Sequence, residues 1–246
     1  MNTRAIPVLV LSALCSANGY CEEASLSLGA FVTNKSSVYE GGENKNSPYP
    51  FVDGYWGPFF ISNGQLGSFI AGNDHWGFAL AAGLANLEDK SRGHSKQLAG
   101  MHKLEDVFVG SVQAFIETHY GQLSASYEKD ISHQHNGYSA NVGYRYSLEV
   151  GYWLIEPAFS ATWINESISE YYYGVQHNEV TSNRAAYQPG SASYLKTELN
   201  LVYFFNRYHA VALGVSYSQL SNEITDSPIV NHTSTSSALV GYVYSF

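Results

Sequence analysis

The sequence contains few charged residues for its length. Asp, Glu, Lys and Arg make up 13% of the 246 residues, whereas a soluble domain carries about 25%. Aromatic residues are abundant instead, at 15%, and Tyr alone contributes 20 residues. This composition disfavours a domain that is hydrated on all sides, and it favours a sheet that faces lipid on one side.

Long hydrophobic runs are also missing. Beyond the first residues, no stretch of about 18 apolar residues occurs in the chain, so transmembrane helices are excluded. The length fits one large all-β domain. An inner-membrane protein is thereby ruled out, which leaves a soluble periplasmic β-protein or a β-barrel.

Residues 1–19 have the pattern of a secretory signal peptide. Arg4 gives a positive start, residues 5–14 are apolar, and residues 17–19 offer a cleavage site with small side chains. Two acidic residues follow almost at once, so the segment is too short to span a membrane. We therefore expect a signal peptide at 1–19 and a mature chain at 20–246.

Cysteine and basic residues are scarce. Lipid attachment needs a Cys directly after a small residue, but Leu14 precedes Cys15 and Tyr20 precedes Cys21. Cleavage after residue 19 leaves one Cys, which excludes an internal disulfide framework. The mature chain would hold 11 basic and 21 acidic residues, and such a surface does not attract nucleic acid.

The positive signal in this sequence is alternation with period two, the pattern of a strand whose faces meet different surroundings. In segment 209–220, large side chains alternate with Ala, Gly and Ser. The same pattern recurs in segments 76–83, 138–147, 153–163 and 195–205. Large side chains are predicted to face lipid, and small ones a crowded lumen.

A soluble sandwich also alternates, but its outer face should be rich in Lys, Glu and Thr, which is not the case here. The ends of the predicted strands carry aromatic residues, as interfacial girdles require: Trp56, Trp76, Tyr152, Trp163, Phe205 and Tyr208. The sequence therefore predicts an antiparallel transmembrane β-barrel in the outer membrane of a Gram-negative bacterium, with outer-membrane lipid around it.

Twelve segments have strand patterns, and an even number suits a single-chain barrel. Merging residues 58–72 would give eleven strands, and an irregular region at 49–72 would give ten. Short turns alternate with long loops, so both termini are predicted to be periplasmic. The predicted segments are 24–33, 49–56, 58–64, 66–72, 75–84, 105–117, 119–130, 137–148, 151–165, 192–205, 207–220 and 236–246.

Six charged residues fall on the predicted lumen face. A charge that faces hydrocarbon at the bilayer midplane costs about 2–4 kcal/mol, whereas one in a wet lumen need not. We interpret them as a candidate polar network of the lumen, either structural or part of a substrate path. They are Glu117, Glu128, Arg145, Glu156, Lys196 and Glu198.

The last strand ends with aromatic residues on one face, namely Tyr242, Tyr244 and the terminal Phe246. Outer-membrane barrels present such a strand to the barrel-assembly machinery. We therefore predict that these three residues form the assembly signal and that the assembly machinery is a partner.

A set of short motifs lies along the chain at residues 39–41, 48–60, 171–175, 187–192, 227–230 and 241–246. Together they resemble the MipA/OmpV family of outer-membrane proteins. The resemblance implies a barrel that acts as a scaffold, bridging a murein-degrading transglycosylase and a murein synthase. Other members resemble adhesins or uptake pores, which keeps a small channel or an adhesin as the alternative.

The longest predicted external loop contains Tyr171, Tyr172 and Tyr173. They form a candidate contact surface for a ligand or partner, although aromatic clusters also pack against one another.

Residues 133–137 invite an enzymatic interpretation, because a nucleophilic Ser needs an adjacent base and Ser132 and Ser139 flank two histidines. However, Asn136-Gly137 is a strong hairpin signal, and no metal-site spacing accompanies the histidines. We predict no catalytic, cofactor or metal site and no enzyme activity.

Overall fold

The computed structural model describes residues 24–85 and 91–246, so the predicted signal peptide lies outside the described residues. Twelve strands follow one another along the chain. Their bounds are β1 Ser25–Lys35, β2 Lys45–Trp56, β3 Phe59–Ser62, β4 Gln65–Asn73, β5 Trp76–Leu84, β6 Phe108–Thr118, β7 Gly121–Asp130, β8 Tyr138–Arg145 with its continuation Leu148–Val150, β9 Trp153–Ile164, β10 Ala192–Phe204, β11 His209–Leu220 and β12 Ser234–Ser245.

The strands form a closed antiparallel barrel. Each strand pairs with the next along the chain, and β12 pairs with β1 over residues 237–245. The two parts of β8 pair with β9 in one continuous register, so they count as a single strand. The prediction of a twelve-stranded barrel is therefore confirmed, and ten or eleven strands are wrong.

Short and long connections lie at opposite ends of the barrel. Two to four residues join strands at 57–58, 74–75, 119–120, 151–152 and 205–208, at the end that holds both termini. Short turns are periplasmic in barrels of this kind, so the long connections are extracellular. They comprise residues 36–44, 85–107, 131–137, 165–191 and 221–233.

The hairpin of β3 and β4 is much shorter than its neighbours. Its turn consists of Asn63 and Gly64, both with positive φ, as expected of a tight hairpin. β3 pairs only with residues 54–56 of β2, so residues 46–53 form an edge within the described part of the chain. Pro48 and Pro50 are tolerated in this edge, because proline has no backbone N–H and an edge has no neighbouring strand that needs one. β2 begins earlier than the predicted residue 49 because residues 45–48 pair with residues 32–35 of β1.

The outward face of the barrel is apolar. Exposed outward side chains include Phe78, Val112, Phe159, Val215 and Val240. On a soluble protein this continuous apolar surface would be anomalous, whereas a bilayer covers it.

Small residues on the inner face make room for aromatic rings on the next strand. Phe31 of β1 lies directly opposite Gly241 of β12, and a Cβ on Gly241 would overlap the Phe31 ring. Phe60 and Gly67 have the same relationship across β3 and β4. The interior is therefore closely packed at these positions.

The extracellular connections contain short helices. α1 spans Glu166–Tyr173 and α2 spans Asn222–Thr225. Single 3₁₀ turns lie at Arg92–His94, Lys96–Leu98 and His177–Glu179. Asn165 caps α1, its side chain accepting a hydrogen bond from the Ile168 amide. None of the helices in the described ranges is long and apolar enough to cross a membrane.

Candidate functional site

The structure places all six charged residues of the predicted lumen network on the inner face. Glu117, Arg145 and Glu198 lie in one row across the sheet, through the pairs Glu117–Gln122, Gln122–Arg145, Arg145–Ala158 and Ala158–Glu198. The other three occupy different rows. Period two alone places these side chains inside, because one face of each strand is turned to the lumen.

Among the described residues, one pair of the six forms an ion pair, since Lys196 Nζ lies 2.7 Å from Glu198 Oε1. Glu117 accepts a hydrogen bond from Gln122 Nε2 at 2.9 Å. Glu156 is 1% exposed, accepts from the Ser147 hydroxyl at 2.8 Å and interacts electrostatically with Arg145.

Glu128 belongs to a polar cluster that also includes residues of other types. Gln65 Nε2 donates to Glu128 Oε1 at 3.1 Å, and Gln65 Oε1 accepts from Gln113 at 2.9 Å and from Ser111 at 3.2 Å. The charged residues alone do not reveal this cluster. The inward positions of the two glutamines would have identified it.

Two adjoining cavities of about 420 and 470 Å³ occupy the middle of the lumen. Both are lined by Ser124, Asn141, Arg145, Thr162 and Tyr194, so they form one interior space. The first cavity carries three cationic side chains, Lys35, Arg145 and Lys196, against the single carboxylate Glu198. The chain as a whole has more acidic than basic residues, but the lining of the first cavity has more basic than acidic ones.

A cluster of buried apolar side chains lies on the inner face toward the periplasmic end, and we call it the plug. It is contributed by β9–β12 and β1. Close apolar packing leaves little room for water among its members. The plug consists of Phe31, Leu154, Val202, Phe204, Ala210, Ala212 and Val243.

The extracellular connections pack together into a cap with its own hydrophobic core. The core joins loop 36–44, segment 98–104, α1, α2 and segment 229–230. Tyr39, Ile224 and Ile229 are at most 1% exposed, and Asn231 N–H donates to the Val38 carbonyl at 3.0 Å. The cap therefore covers the mouth of the barrel.

The three consecutive tyrosines of α1 are not equivalent. Tyr172 and Tyr173 are buried in the cap core, at 4% and 0% exposure, so a contact surface made of all three does not exist in this structure. Tyr171 is partly buried and lines a cavity on the outside of the cap. Successive residues of a helix point in different directions, which explains why the three separate.

Loop 131–137 is organised by Asp130, which the sequence analysis did not identify. Its carboxylate accepts hydrogen bonds at 2.8 Å from the amides of Ser132, His135 and Asn136 and from the Ser132 hydroxyl. A short acidic side chain at the start of a loop commonly caps backbone amides in this way. The signal was present in the sequence as Asp130 followed by Ser132.

Residues 133–137 lie in the connection between β7 and β8, as the hairpin signal predicted. The turn is longer than two residues, and Asn136 has positive φ but Gly137 does not. His135 Nδ1 accepts a hydrogen bond from the Gly137 amide at 2.8 Å, and Ser132 donates to Asp130 instead of a histidine. Within the described residues, no group of three His, Cys, Asp or Glu is arranged to hold a metal ion.

The C-terminal strand turns its aromatic residues outward. Phe246 is 69% and Tyr242 45% exposed, and the rings of Tyr244 and Phe246 are 4.8 Å apart. The outward row continues the lipid-facing surface of β12. Its role as an assembly signal stays a prediction.

The closed barrel, the apolar outer face and the extracellular cap define an outer-membrane β-barrel protein. The sequence profile described as "MltA-interacting protein MipA" matches residues 28–246. The chain belongs to this family, as the resemblance predicted, and the outer membrane is its location.

Similar proteins carry outer-membrane names. The chain is 22% identical to "Putative outer membrane protein YiaT" of Escherichia coli K12 over all of this chain and 99% of that protein. It is 26% identical to the "MltA-interacting protein" of the same strain over 91% of each chain, and 26% identical to "Outer membrane protein OmpV" of Vibrio cholerae over 70% of this chain and 63% of that protein.

Solved structures with some likeness to the chain are also outer-membrane proteins. The NanC porin aligns with a TM-score of 0.44 and 10% identity over 90% of this chain and 99% of its own. An outer-membrane channel from Pseudomonas putida F1 aligns with a TM-score of 0.41 and 10% identity over 94% and 99%.

Proposed function

We propose that this protein is a structural scaffold of the outer membrane rather than an open pore. The observations that support this role are the packed cap at the extracellular end and the apolar plug inside the periplasmic end. In this proposal the two together keep solute out of the lumen, and the outer surfaces of the barrel are offered to partners.

The proposed partners are periplasmic murein enzymes, a transglycosylase and a synthase. The name of one relative, "MltA-interacting protein", supports this proposal. The surface available to such enzymes is the ring of five periplasmic turns. It exposes polar side chains at Asp74, His75, His119 and Arg207, together with the aromatic ring of Tyr120.

A pull-down with surface variants tests the proposal. The full-length protein, solubilised from membranes, should capture a murein transglycosylase and a murein synthase. The double substitution His119→Glu with Arg207→Glu, in two periplasmic turns, should reduce capture by about tenfold, because reversed charges at an interface are repulsive.

The matched control alters the opposite end of the molecule. His94→Glu with Lys96→Glu changes exposed residues of an extracellular connection, and capture should be unchanged. Equal losses from both pairs, or no capture by the unmodified protein, would reject the scaffold role.

A small channel is the second candidate function, and the two interior cavities favour it. The cationic lining of the first cavity would select small anions, not the cations that the acidic composition suggests. Enzyme activity is not part of the proposal, and the Ser132 hydroxyl donates to Asp130.

We also propose that Tyr242, Tyr244 and Phe246 are read by the barrel-assembly machinery. Their outward projection along one strand leaves them accessible before the barrel closes.

A further inference from the structure

We propose that the outside of the cap holds a binding site for a neutral, polyhydroxylated ligand such as a saccharide. The site is a cavity of about 750 Å³ between loop 131–137, α1 and segments 174–177 and 186–188. It faces the cell exterior, at the opposite end from the periplasmic turns. It is therefore independent of the proposed scaffold role.

The walls of this cavity are fixed by hydrogen bonds between segments distant in sequence. Val175 and Tyr187 exchange backbone hydrogen bonds at 2.8 and 3.1 Å. His102 is held by Glu179, which accepts from its backbone amide at 2.7 Å and contacts its ring Nδ1 at 2.9 Å. A site that is formed before the ligand arrives loses little entropy on binding.

Three polar side chains in the lining have hydrogen-bonding capacity that the described residues do not use. His135 Nδ1 accepts from the Gly137 amide, so the neutral ring carries its proton on Nε2, which is buried without a partner in this part of the chain. Gln134 and His177 also line the cavity and make no side-chain hydrogen bond to a described residue. Amide and imidazole groups both donate and accept, which is what hydroxyl groups require.

Two tyrosines line the cavity with their hydroxyl groups already hydrogen-bonded to protein groups. The Tyr171 hydroxyl accepts from the Glu105 amide at 2.7 Å, and the Tyr187 hydroxyl donates to the Glu223 carbonyl at 3.0 Å. Both residues line the cavity, so in this proposal their rings supply its apolar contacts. Aromatic faces complement the C–H faces of a sugar ring.

The charge of the lining excludes other ligand classes. Among the described residues that line the cavity there is no Lys or Arg, so a phosphate or carboxylate would have no cationic partner. The one carboxylate, Glu170, accepts a hydrogen bond from Gln188 Nε2. Three histidines line the cavity, but they do not form a metal-binding group within the described ranges.

Binding can be measured on the intact protein with soluble sugars as probes. The protein should be purified in a detergent without a sugar headgroup, since maltoside and glucoside detergents would compete for the site. Saturation-transfer difference NMR is recorded with maltose, cellobiose and lactose, and with glucose 6-phosphate as the anionic comparison. The test variant is Gln134→Ala with His177→Ala, and the matched control is His232→Ala in an exposed connection.

We expect transfer to at least one neutral disaccharide and none to glucose 6-phosphate at the same concentration. The double variant should weaken binding by about tenfold or more, equivalent to about 1.4 kcal/mol, while His232→Ala should stay within about twofold. Absence of transfer to all three disaccharides would overturn the proposal. So would unchanged binding by the double variant, or equal binding of the phosphorylated sugar.

Discussion

At the scale of single residues, the interior depends on glycines that lie beneath aromatic rings. Gly241 has no room for a Cβ because the Phe31 ring covers it from the next strand. Phe31 in turn belongs to the periplasmic plug and is 5% exposed. One hydrogen atom in place of a methyl group therefore determines whether this part of the plug can form.

Substituting Gly241→Ala should destabilise the barrel by about 1–3 kcal/mol, the usual cost of overpacking a filled interior. Urea unfolding of the reconstituted protein, followed by tryptophan fluorescence, measures the change. The control is Gly110→Ala, where a Cβ would meet only Ile131 at an ordinary 3.4 Å. Equal effects of the two substitutions would contradict the packing argument.

At the scale of elements, the cap contains two buried ionisable groups, Glu179 and His135, whose pKa values are shifted by their surroundings. Burial raises the pKa of Glu179, but hydrogen bonds from the amides of His102 and Gln176 and from the His102 ring outweigh it and leave a lowered pKa. Burial lowers the pKa of His135, although Asp130 opposes this. In both cases the unfolded cap binds protons more readily than the folded cap, so cap stability rises with pH.

We therefore expect the cap to loosen on acidification. The contribution of His135 to cap stability is complete above its ordinary pKa of 6.5, and it is lost as the pH falls through its lowered pKa in the folded cap. The contribution of Glu179 is complete above its ordinary pKa of 4.5, and it is lost as the pH falls through its own lowered pKa. The protection factors of amides in α1 and segment 98–104, which correct the exchange rates for the intrinsic pH dependence of amide exchange, should be high at neutral pH and should fall below pH 4.5.

Glu179→Gln should increase this exchange already at neutral pH, because the amide replaces a charged acceptor of three hydrogen bonds. Glu43→Gln, in an exposed position of another extracellular connection, is the matched control and should behave as the unmodified protein. Protection factors that are independent of pH in the unmodified cap would contradict the role of both groups.

At the scale of the whole molecule, the proposed scaffold and the proposed channel differ in whether the lumen conducts. The cap packs at the extracellular end and the plug lies toward the periplasmic end. If both obstruct the lumen, as the scaffold proposal requires, weakening one of them leaves the other in place.

The unmodified protein should be silent in planar bilayers at neutral pH. Weakening the plug with Phe204→Ala and the cap with Glu179→Gln should produce measurable conductance. The control pair Phe205→Ala with Glu43→Gln should stay silent, because Phe205 faces outward and is 58% exposed. Steady channels in the unmodified protein would favour the pore and reject the closed scaffold.

The sequence by itself determined the strands of the barrel and the face to which their side chains point. Alternation is a local property of a strand, since neighbouring side chains point to opposite faces, and it correctly predicted twelve strands and the inward direction of residues such as Glu156 and Lys196. It could not predict that β3 is only four residues long, because strand length there depends on pairing with β2.

Only the tertiary structure decided how the barrel is closed and what its cavities contain. Burial of Tyr172 and Tyr173, the hydrogen bonds to Asp130 and the clustering of Lys35, Arg145 and Lys196 around one cavity depend on contacts between segments far apart in the chain. Loops have no periodic pattern that records such contacts, because their conformation is set by the partners they meet.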